Sequence, residues 1–347
     1  MARLKQFIKS IPVVGSLAGG LYRMAKGMPA LTRLDELTLQ VELMRANAQR
    51  LALTLAELER ERRVAGQAVG EARSFQELRN LGTVSALCTQ DQFMTPEYTY
   101  WCRQIKEEPV WHRKQWEYYF ICQALWERGM VRPGRSGCGF GVGREPLPSL
   151  FAALGCTVLA TDAPSSATIE RHWSRTGQYA ASRGDLNVRA LAPDDVFRAN
   201  VEFRAVDMNR IPTDLGLFDF VWSTCALEHL GNIEKSIDFV VNACRCLKPG
   251  GVAVHTTEFN VSSADRTLDS GPIVLFRRKD LAEMERRLAS TGCRLPPVSF
   301  EEGRGLLDSF VAVPPYRSTD LDLPMLRLVI GPYVSTSLAL IIEKASR

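Results

Sequence analysis

Apolar residues recur at alternating steps of three and four near the start of the chain. The series is Leu34, Leu37, Val41, Met44, Ala48, Leu51, Leu55 and Leu58. This repeat forms an apolar seam over four heptads, so it predicts a coiled coil over residues 31–62 and a homo-oligomer built through it. Leu39, Leu43 and Leu53 lie off the seam and favour a second interpretation, in which the helix packs on its own chain. The seam fails at Arg62, and Gly66 and Gly70 predict a linker.

From residue 134 onward, short apolar runs alternate with helical patterns. Residues 157–162, 203–208, 218–224 and 252–256 predict strands, and residues 278–291 predict a helix. This alternation is typical of an α/β fold with a mostly parallel sheet. Residues 298–301 and 335–343 predict a closing antiparallel hairpin. The insertion between them, residues 303–333, is long for a loop in a compact domain, so we expect it to shape a binding site.

The segment 74–133 is rich in aromatic residues and has helical spacing over residues 112–125. It predicts a helical cap ahead of the sheet. Most of its aromatic side chains are expected to pack on the sheet, and Trp111 and His112, near the start of a helix, are the best candidates to face a substrate.

The run GCGFGVGREPLP at residues 137–148 brings three alternating glycines, Gly137, Gly139 and Gly141, ahead of a carboxylate at Asp162. Glycine lets a loop approach a ligand closely and turn into a helix. A carboxylate at the end of the second strand accepts hydrogen bonds from ribose hydroxyls in folds of this class. The dinucleotide pattern G-x-G-x-x-G would need glycine where Val142 or Arg144 stands, so nicotinamide and flavin binding are disfavoured.

The alternating glycines and the residues after them resemble the class I S-adenosylmethionine-dependent methyltransferases, from about Arg135 to the C-terminus. The resemblance implies a Rossmann-like, mostly parallel seven-stranded sheet and S-adenosylmethionine as cofactor. Asp207 and Met208 match the family's third strand and would lie near the adenine. Thr224 ends the matching fourth strand, and residues 247–256 match the turn and fifth strand.

One position departs from the family pattern. The resemblance implies an acid two residues before the first glycine, where it holds the amino end of the cofactor, and Arg135 stands there. Either Glu145 takes over that role or the first strand is atypical. Glu145 is equally explained as an acid in the first turn of a helix, where the helix dipole favours it.

Charge and cysteine content narrow the setting. The net charge is +4, and the first thirty residues hold five basic residues and no acid. With apolar residues interspersed, the segment 1–30 predicts a basic amphipathic helix that contacts an anionic membrane surface peripherally, or that packs on the protein itself. A signal peptide is a competing interpretation. Nine cysteines without C-x-x-C spacing indicate reduced thiols, so we expect neither disulfides nor zinc, and a cytoplasmic location at the inner membrane face.

Transfer to a hydroxyl needs a base, and His229 and Glu258 are the candidates because both are expected to follow strands at the carboxyl edge of the sheet. His229 is equally a cap of the turn under the cofactor, and Glu258 is equally a solvated loop acid. No basic stripe accompanies the domain, so nucleic acid is not an expected partner.

The chain is thus predicted to be an enzyme with a methyltransferase domain over residues 134–347. The favoured activity is O-methylation of a sugar or surface polysaccharide. The alternatives are methylation of a small soluble metabolite and a non-catalytic coiled-coil scaffold with a decayed methyltransferase domain.

Overall fold

A computed structural model of the chain describes residues 33–67, 74–164, 179–316 and 323–346. The basic segment predicted over residues 1–30 lies outside them. Internal contacts divide the chain into two units, residues 1–51 and 52–347. None of the helices in the described ranges combines the length and the apolar character that crossing a bilayer requires.

The first helix, α1 (Arg33–Gln67), carries the predicted seam. Within the first unit, Leu37, Val41 and Met44 are 50, 55 and 63% exposed. Such exposure is expected for one helix of a coiled coil in the absence of its partner helix. The coiled coil stays a prediction.

Within the second unit, a different face of α1 is buried. Ala52, Ala56, Glu59 and Arg63 are all less than 5% exposed. Arg63 Nη2 donates to the Pro109 carbonyl at 2.9 Å. Because these contacts hold the last turns, the helix continues to Gln67. The helix thus extends past Arg62, where the seam fails, and includes Gly66, the first of the two glycines that predicted a linker.

One sheet runs through the second unit. Its strands are β1 (Ala86–Leu87), β2 (Ser136–Phe140), β3 (Thr157–Asp162), β4 (Val201–Ala205), β5 (Phe218–Thr224), β6 (Leu247–Asn260), β7 (Cys293–Arg294), β8 (Val311–Ala312), β9 (Arg327–Ile330) and β10 (Tyr333–Lys344). The order is β4-β3-β2-β5-β6-β10-β9-β8, and the two short strands β1 and β7 pair with β10. The first five of these neighbours are parallel, and β10 is antiparallel to both β6 and β9.

Helices cover both faces of this sheet. They are α2 (Gln90–Phe93), α3 (Pro96–Gln104), α4 (Arg113–Glu127), α5 (Leu147–Ala153), α6 (Asp194–Asn200), α7 (Ile233–Arg245) and α8 (Arg278–Leu288). Successive strand residues point to opposite faces. Thus Phe220 and Trp222 join the core with α4 and α5, while Val221 joins the core with α7 and α8. The predicted Rossmann-like α/β fold is confirmed.

The C-terminal part differs from the sequence prediction. Residues 298–301 form no strand, and Ser299 makes only an isolated bridge to Ala86. β10 instead pairs with β6 along its length, from Ser335 opposite Asn260 to Glu343 opposite Val252. Because β6 continues to Asn260, Glu258 lies inside a strand and does not begin a loop. The insertion contributes β8 and β9 to the sheet edge.

Candidate active site

The order of the strands places a crevice between β2 and β5. From β2 the chain proceeds to β3 and β4 on one side, and β5 and β6 lie on the other. Ligands of open α/β sheets bind at the carboxyl ends of the strands where the order reverses. A cavity of about 420 Å³ opens at this edge, lined by residues 141–145, 207–209 and 224–226 and by side chains from α4 and from the turn after β5.

The glycine loop leaves the strand later than the sequence motif suggested. Gly141 and Gly143 line the cavity with φ of +60° and +50°. A Cβ at Gly141 would lie 2.9 Å from the Ala226 Cβ and 3.0 Å from the Met208 sulfur. Only glycine fits this approach.

Gly137 and Gly139, the other two predicted cofactor residues, lie within β2 and do not line the cavity. A Cβ on Gly137 would collide with the ring of Phe220, and one on Gly139 with the ring of Trp222. These glycines make room for aromatic side chains of β5. Gly143, which the motif analysis missed, completes the alternation Gly139, Gly141, Gly143 and was readable from the sequence.

Asp162 ends β3 at the cavity, as predicted. Its carboxylate accepts hydrogen bonds from the backbone N–H of Ala163 at 2.8 Å, of Ala180 at 3.1 Å and of Gly143 at 3.2 Å. Burial raises the pKa of Asp162, and these three donors oppose the rise. The side chain thus fixes the glycine loop and also faces the space where a ribose would lie.

The other predicted cofactor residues also line the cavity. Asp207 and Met208 follow β4, and Thr224 ends β5. The Thr224 side chain is 4% exposed, and its Oγ1 makes no hydrogen bond within 3.5 Å among the described residues but lies near enough to the Glu145 carboxylate to lower its pKa. A buried hydroxyl of this kind is a ready contact for a polar ligand.

Glu145 lies on the cavity wall, between the glycine loop and α5. Its side chain is 6% exposed, and Oε1 accepts a hydrogen bond from Trp222 Nε1 at 2.6 Å. Burial raises the pKa of Glu145 to about 7, despite the nearby Lys114 ammonium. Glu145 precedes the N-cap of α5 and so lies outside the first turn, where the helix dipole would have favoured it. Its hydrogen bond from Trp222 holds it on the cavity wall.

His229 lines the same cavity, in a short 3₁₀ turn after β5. Its Nδ1 lies 2.7 Å from the Pro272 carbonyl oxygen. A carbonyl only accepts, so Nδ1 carries the proton and donates, and Nε2 of the neutral ring is the basic nitrogen. Burial lowers the pKa of His229, which keeps the ring neutral near pH 7.

Glu258, the other predicted base, does not line the cavity. It is 2% exposed, forms a close ion pair with Arg113 and accepts a hydrogen bond from Ser335 Oγ at 2.6 Å. We call the four buried charged residues at this place the charge cluster: Arg113, Glu117, Glu228 and Glu258.

Within the charge cluster, the carboxylates have different surroundings. Burial favours the neutral form of Glu117, but Lys114 and Arg113 lower its pKa overall. Burial and the Glu258 carboxylate raise the pKa of Glu228. Because Glu258 has its own cation, the structure gives it a packing role behind the cavity.

Helix α4 supplies Lys114 and Tyr118 to the cavity. Trp111 and His112, the residues expected to face a substrate, point elsewhere. Trp111 Nε1 donates to the Ala56 carbonyl at 2.9 Å, and His112 Nδ1 caps α4 by accepting from the Lys114 backbone N–H at 3.0 Å. Helical spacing alone marked Lys114 and Tyr118 as one face, since they lie four residues apart. None of the described residues of the insertion 303–333 lines the cavity.

Arg135 lies at the opposite edge of the sheet. Its Nη1 forms an ion pair with Asp219 at 2.7 Å, and Lys248 Nζ reaches the same carboxylate at 2.8 Å. Partial burial favours the neutral acid, but hydrogen bonds from Lys248, Ser136 and Arg135 lower the pKa of Asp219. At about 3.3 Å per strand residue, Arg135 is roughly 16 Å from the end of β2. It therefore belongs to a structural ion-pair group.

These residues fit S-adenosylmethionine. The glycine loop leaves no room for a Cβ at Gly141, Asp162 would hold the ribose, and the Thr224 hydroxyl lies in the wall. Asp207 and Met208 would border the adenine. When bound, the cofactor supplies an electrophilic methyl group on a sulfonium.

Comparisons with known proteins locate the family. Residues 135–255 match the family model described as a methyltransferase domain. No curated protein matches the chain significantly. Among solved structures, the chain is similar to an S-adenosylmethionine dependent methyltransferase from Mesorhizobium loti, with 16% identity, 64% of this chain and 96% of that chain covered, and a TM-score of 0.38.

It is also similar to the magnesium protoporphyrin IX methyltransferase of Synechocystis, with 13% identity, 74% and 98% covered and a TM-score of 0.38. It is similar as well to the 1,6-didemethyltoxoflavin-N1-methyltransferase of Burkholderia thailandensis, with 15% identity, 64% of this chain and 76% of that chain covered, and a TM-score of 0.37. At these scores the likenesses add nothing to the family match. Residues 135–255 therefore form a methyltransferase domain, and S-adenosylmethionine is its methyl donor.

Proposed function

We propose that the protein is an O-methyltransferase that acts on a sugar hydroxyl, in a free sugar derivative or in a surface polysaccharide. The observation that carries this proposal is the placement of His229. The imidazole ring lines the cavity that also holds the glycine loop, and because Nδ1 donates to the Pro272 carbonyl, Nε2 is its basic nitrogen, 4.0 Å from Glu228 Oε1.

Hydroxyl groups differ from amines in needing this base. An alcohol is a weak nucleophile until its proton is removed as the new C–O bond forms, and a positioned base contributes about 10²–10⁴-fold to such a step. His229 Nε2 takes the proton, and the lowered pKa of the ring keeps it ready to do so near pH 7.

The acceptor side of the cavity suits a sugar. Tyr118 and Leu230 offer aromatic and apolar surface, and Lys114 and His229 offer polar groups beside it. A sugar presents both an apolar face and hydroxyls, so this mixture matches it. Lys114 is held in place because its Nζ donates to the Thr224 carbonyl at 3.1 Å.

A transfer assay tests the proposal. Purified protein is incubated with S-adenosylmethionine labelled in the methyl group and with nucleotide sugars or glycan extracts. We expect label in the carbohydrate as an alkali-stable methyl ether, and loss of it in His229→Ala. Labelling of carboxylates or amines in place of hydroxyls, or no transfer to any carbohydrate, would refute it.

Methylation of a small soluble metabolite is the second candidate, supported by the modest size of the cavity, about 420 Å³. Removing residues 1–50 separates the two, because this cut retains the buried contacts of α1 that begin at Ala52. A small-molecule enzyme keeps its turnover after the cut. An enzyme held near a membrane glycan through its N-terminal segment loses activity on the native acceptor while keeping cofactor affinity.

We also propose that α1 joins two or more copies of the chain through its heptad seam. Within the first unit, Val41 and Met44 on the seam are 55 and 63% exposed, and Leu39 off the seam is 46% exposed. Exposed leucine and valine in heptad register are stabilised by a second helix. Light scattering on Val41→Ser/Met44→Ser should give a monomer, whereas Leu39→Ser keeps the oligomer. A monomeric wild-type protein, or equal dissociation by both variants, would refute this proposal.

A further inference from the structure

Glu145 is a buried carboxylate without a counter-ion. It is 6% exposed, and its side-chain partners are neutral, since Trp222 Nε1 donates to it at 2.6 Å and the Thr224 hydroxyl lies near enough to lower its pKa. Among the described residues, no basic side chain forms an ion pair with it, whereas Glu258 and Glu117 have Arg113 and Lys114. Buried carboxylates are normally paired, so an unpaired one on a cavity wall points to a cation in the ligand.

The rings of β5 explain why the carboxylate comes from this position. Phe220 and Trp222 stack with centroids 5.8 Å apart, and they fill the space over Gly137 and Gly139. No side chain can therefore leave β2 on this face near the loop. Glu145, just past the loop, reaches back over Trp222 and brings an acid to the same wall.

We infer that Glu145 binds the ammonium group at the amino-acid end of S-adenosylmethionine, with Trp222 Nε1 holding the carboxylate in place. The inference rests on the cofactor and not on the acceptor. The cofactor carries two cations, an ammonium and a sulfonium. Thr224 lines the same cavity beside Glu145, and its buried hydroxyl is a further polar contact for the ligand.

Three ligands separate these cations. S-adenosylmethionine has both, S-adenosylhomocysteine has only the ammonium, and 5′-methylthioadenosine has neither but keeps the nucleoside. Calorimetric titration of the full-length protein with each ligand reports affinity without turnover. We expect Glu145→Gln to weaken S-adenosylmethionine and S-adenosylhomocysteine alike, by roughly 10- to 100-fold, and to change 5′-methylthioadenosine less than about twofold.

A matched variant gives the opposite pattern. Asp162→Asn changes the group that faces the ribose, which all three ligands share, so all three affinities should fall together. A role of Glu145 in the loop structure alone would make its variant behave in this way, and that result would overturn the inference. Weakening of S-adenosylmethionine only would assign Glu145 to the sulfonium and would overturn it too.

The pH dependence of the unaltered protein provides a test that needs no variant. Glu145 is faced by Lys114, Tyr118 and Cys122 of α4 and by Asp162 of β3. Burial raises the pKa of Tyr118 and of Cys122. Burial alone would lower the pKa of Lys114, but the neighbouring Glu117 carboxylate raises it. These three groups keep one protonation state between pH 6 and 8.

Because the pKa of Glu145 is about 7, its carboxylate is mostly neutral at pH 6 and mostly charged at pH 8. S-adenosylhomocysteine should therefore bind about tenfold more weakly at pH 6 than at pH 8. The affinity for 5′-methylthioadenosine reports any change at Asp162 and should stay level. Equal pH dependence of both ligands would overturn the inference. Failure of the protein to bind all three ligands would overturn it together with the cofactor assignment.

Discussion

The cavity and the charge cluster lie side by side at the carboxyl edge of the sheet, and both bury carboxylates. In the charge cluster two of the three carboxylates have a cation, since Arg113 pairs with Glu258 and Lys114 Nζ lies 3.4 Å from Glu117 Oε2. In the cavity, Glu145 has the neutral Trp222 N–H and the neighbouring Thr224 hydroxyl, and among the described residues no cation forms an ion pair with it. The two regions therefore differ in whether the protein supplies a cation to the buried carboxylate.

Glu117 and Glu145 show this contrast for two residues of the same type. Both are nearly fully buried. Basic neighbours lower the pKa of Glu117 against the effect of burial, whereas burial raises that of Glu145 to about 7. The pKa values of two buried glutamates are thus shifted in opposite directions, because the protein supplies an ion-pair partner to Glu117 and not to Glu145.

The largest expected effect separates the two predicted bases. His229→Ala should lower kcat by about 10²–10⁴-fold on a hydroxyl acceptor, since the proton acceptor is lost. Glu258→Gln keeps the shape of a side chain outside the cavity and should retain most of the turnover per folded molecule. Steady-state rates with saturating cofactor measure both. A slow Glu258→Gln beside a normal His229→Ala would exchange their roles.

The next effect concerns stability. Arg113→Met leaves the carboxylate of Glu258 buried without its cation, which should lower the free energy of unfolding by about 3–5 kcal/mol. Urea denaturation measures the change. The double variant Arg113→Met/Glu258→Gln removes the stranded charge and should regain part of the loss. Equal stability of the single and double variants would contradict the pairing.

The smallest effect compares the two glutamates directly. The pKa of Glu145 is raised in the folded protein, so its contribution to stability is present below about pH 4.5 and is lost as the pH rises through about 7. Glu145→Gln should therefore stabilise the cofactor-free protein at pH 8 by about 1–3 kcal/mol and give little gain at pH 5.

Glu117 should respond with the opposite sign. Its lowered pKa makes the ionised form stabilising, and this contribution is lost only as the pH falls below the unfolded value. Glu117→Gln should cost about 1–3 kcal/mol at pH 8. Thermal unfolding at pH 5 and pH 8 measures both variants. Changes of the same sign at pH 8 would remove the distinction between the cavity and the charge cluster.

Periodicity and local motifs predicted much of this molecule. The strand 157–162 and the strand 218–224 have the predicted bounds, because each is a short apolar run bordered by turns. Asp162, Asp207, Met208 and Thr224, which were predicted to bind the cofactor, lie at or just after the ends of strands, and the structure brings them to one cavity. The bounds of these two strands were therefore readable from local sequence.

Other features depend on contacts distant in sequence. Glu258 follows an apolar run and so resembled the start of a loop, but pairing with β10, about 80 residues later, extends β6 past it. The glycine register was set by the rings of Phe220 and Trp222, which local sequence around Gly137 does not contain. The role of Glu145 likewise depends on a tryptophan 77 positions away.

Calorimetric titration of the purified protein with S-adenosylmethionine and, separately, with NAD tests the central claim most directly. We expect micromolar binding of S-adenosylmethionine and no binding of NAD. In folded Asp162→Ala, the affinity for S-adenosylmethionine should fall by about 100-fold or more, which corresponds to about 2.7 kcal/mol. Binding of NAD, or no binding of S-adenosylmethionine by the folded protein, would contradict it.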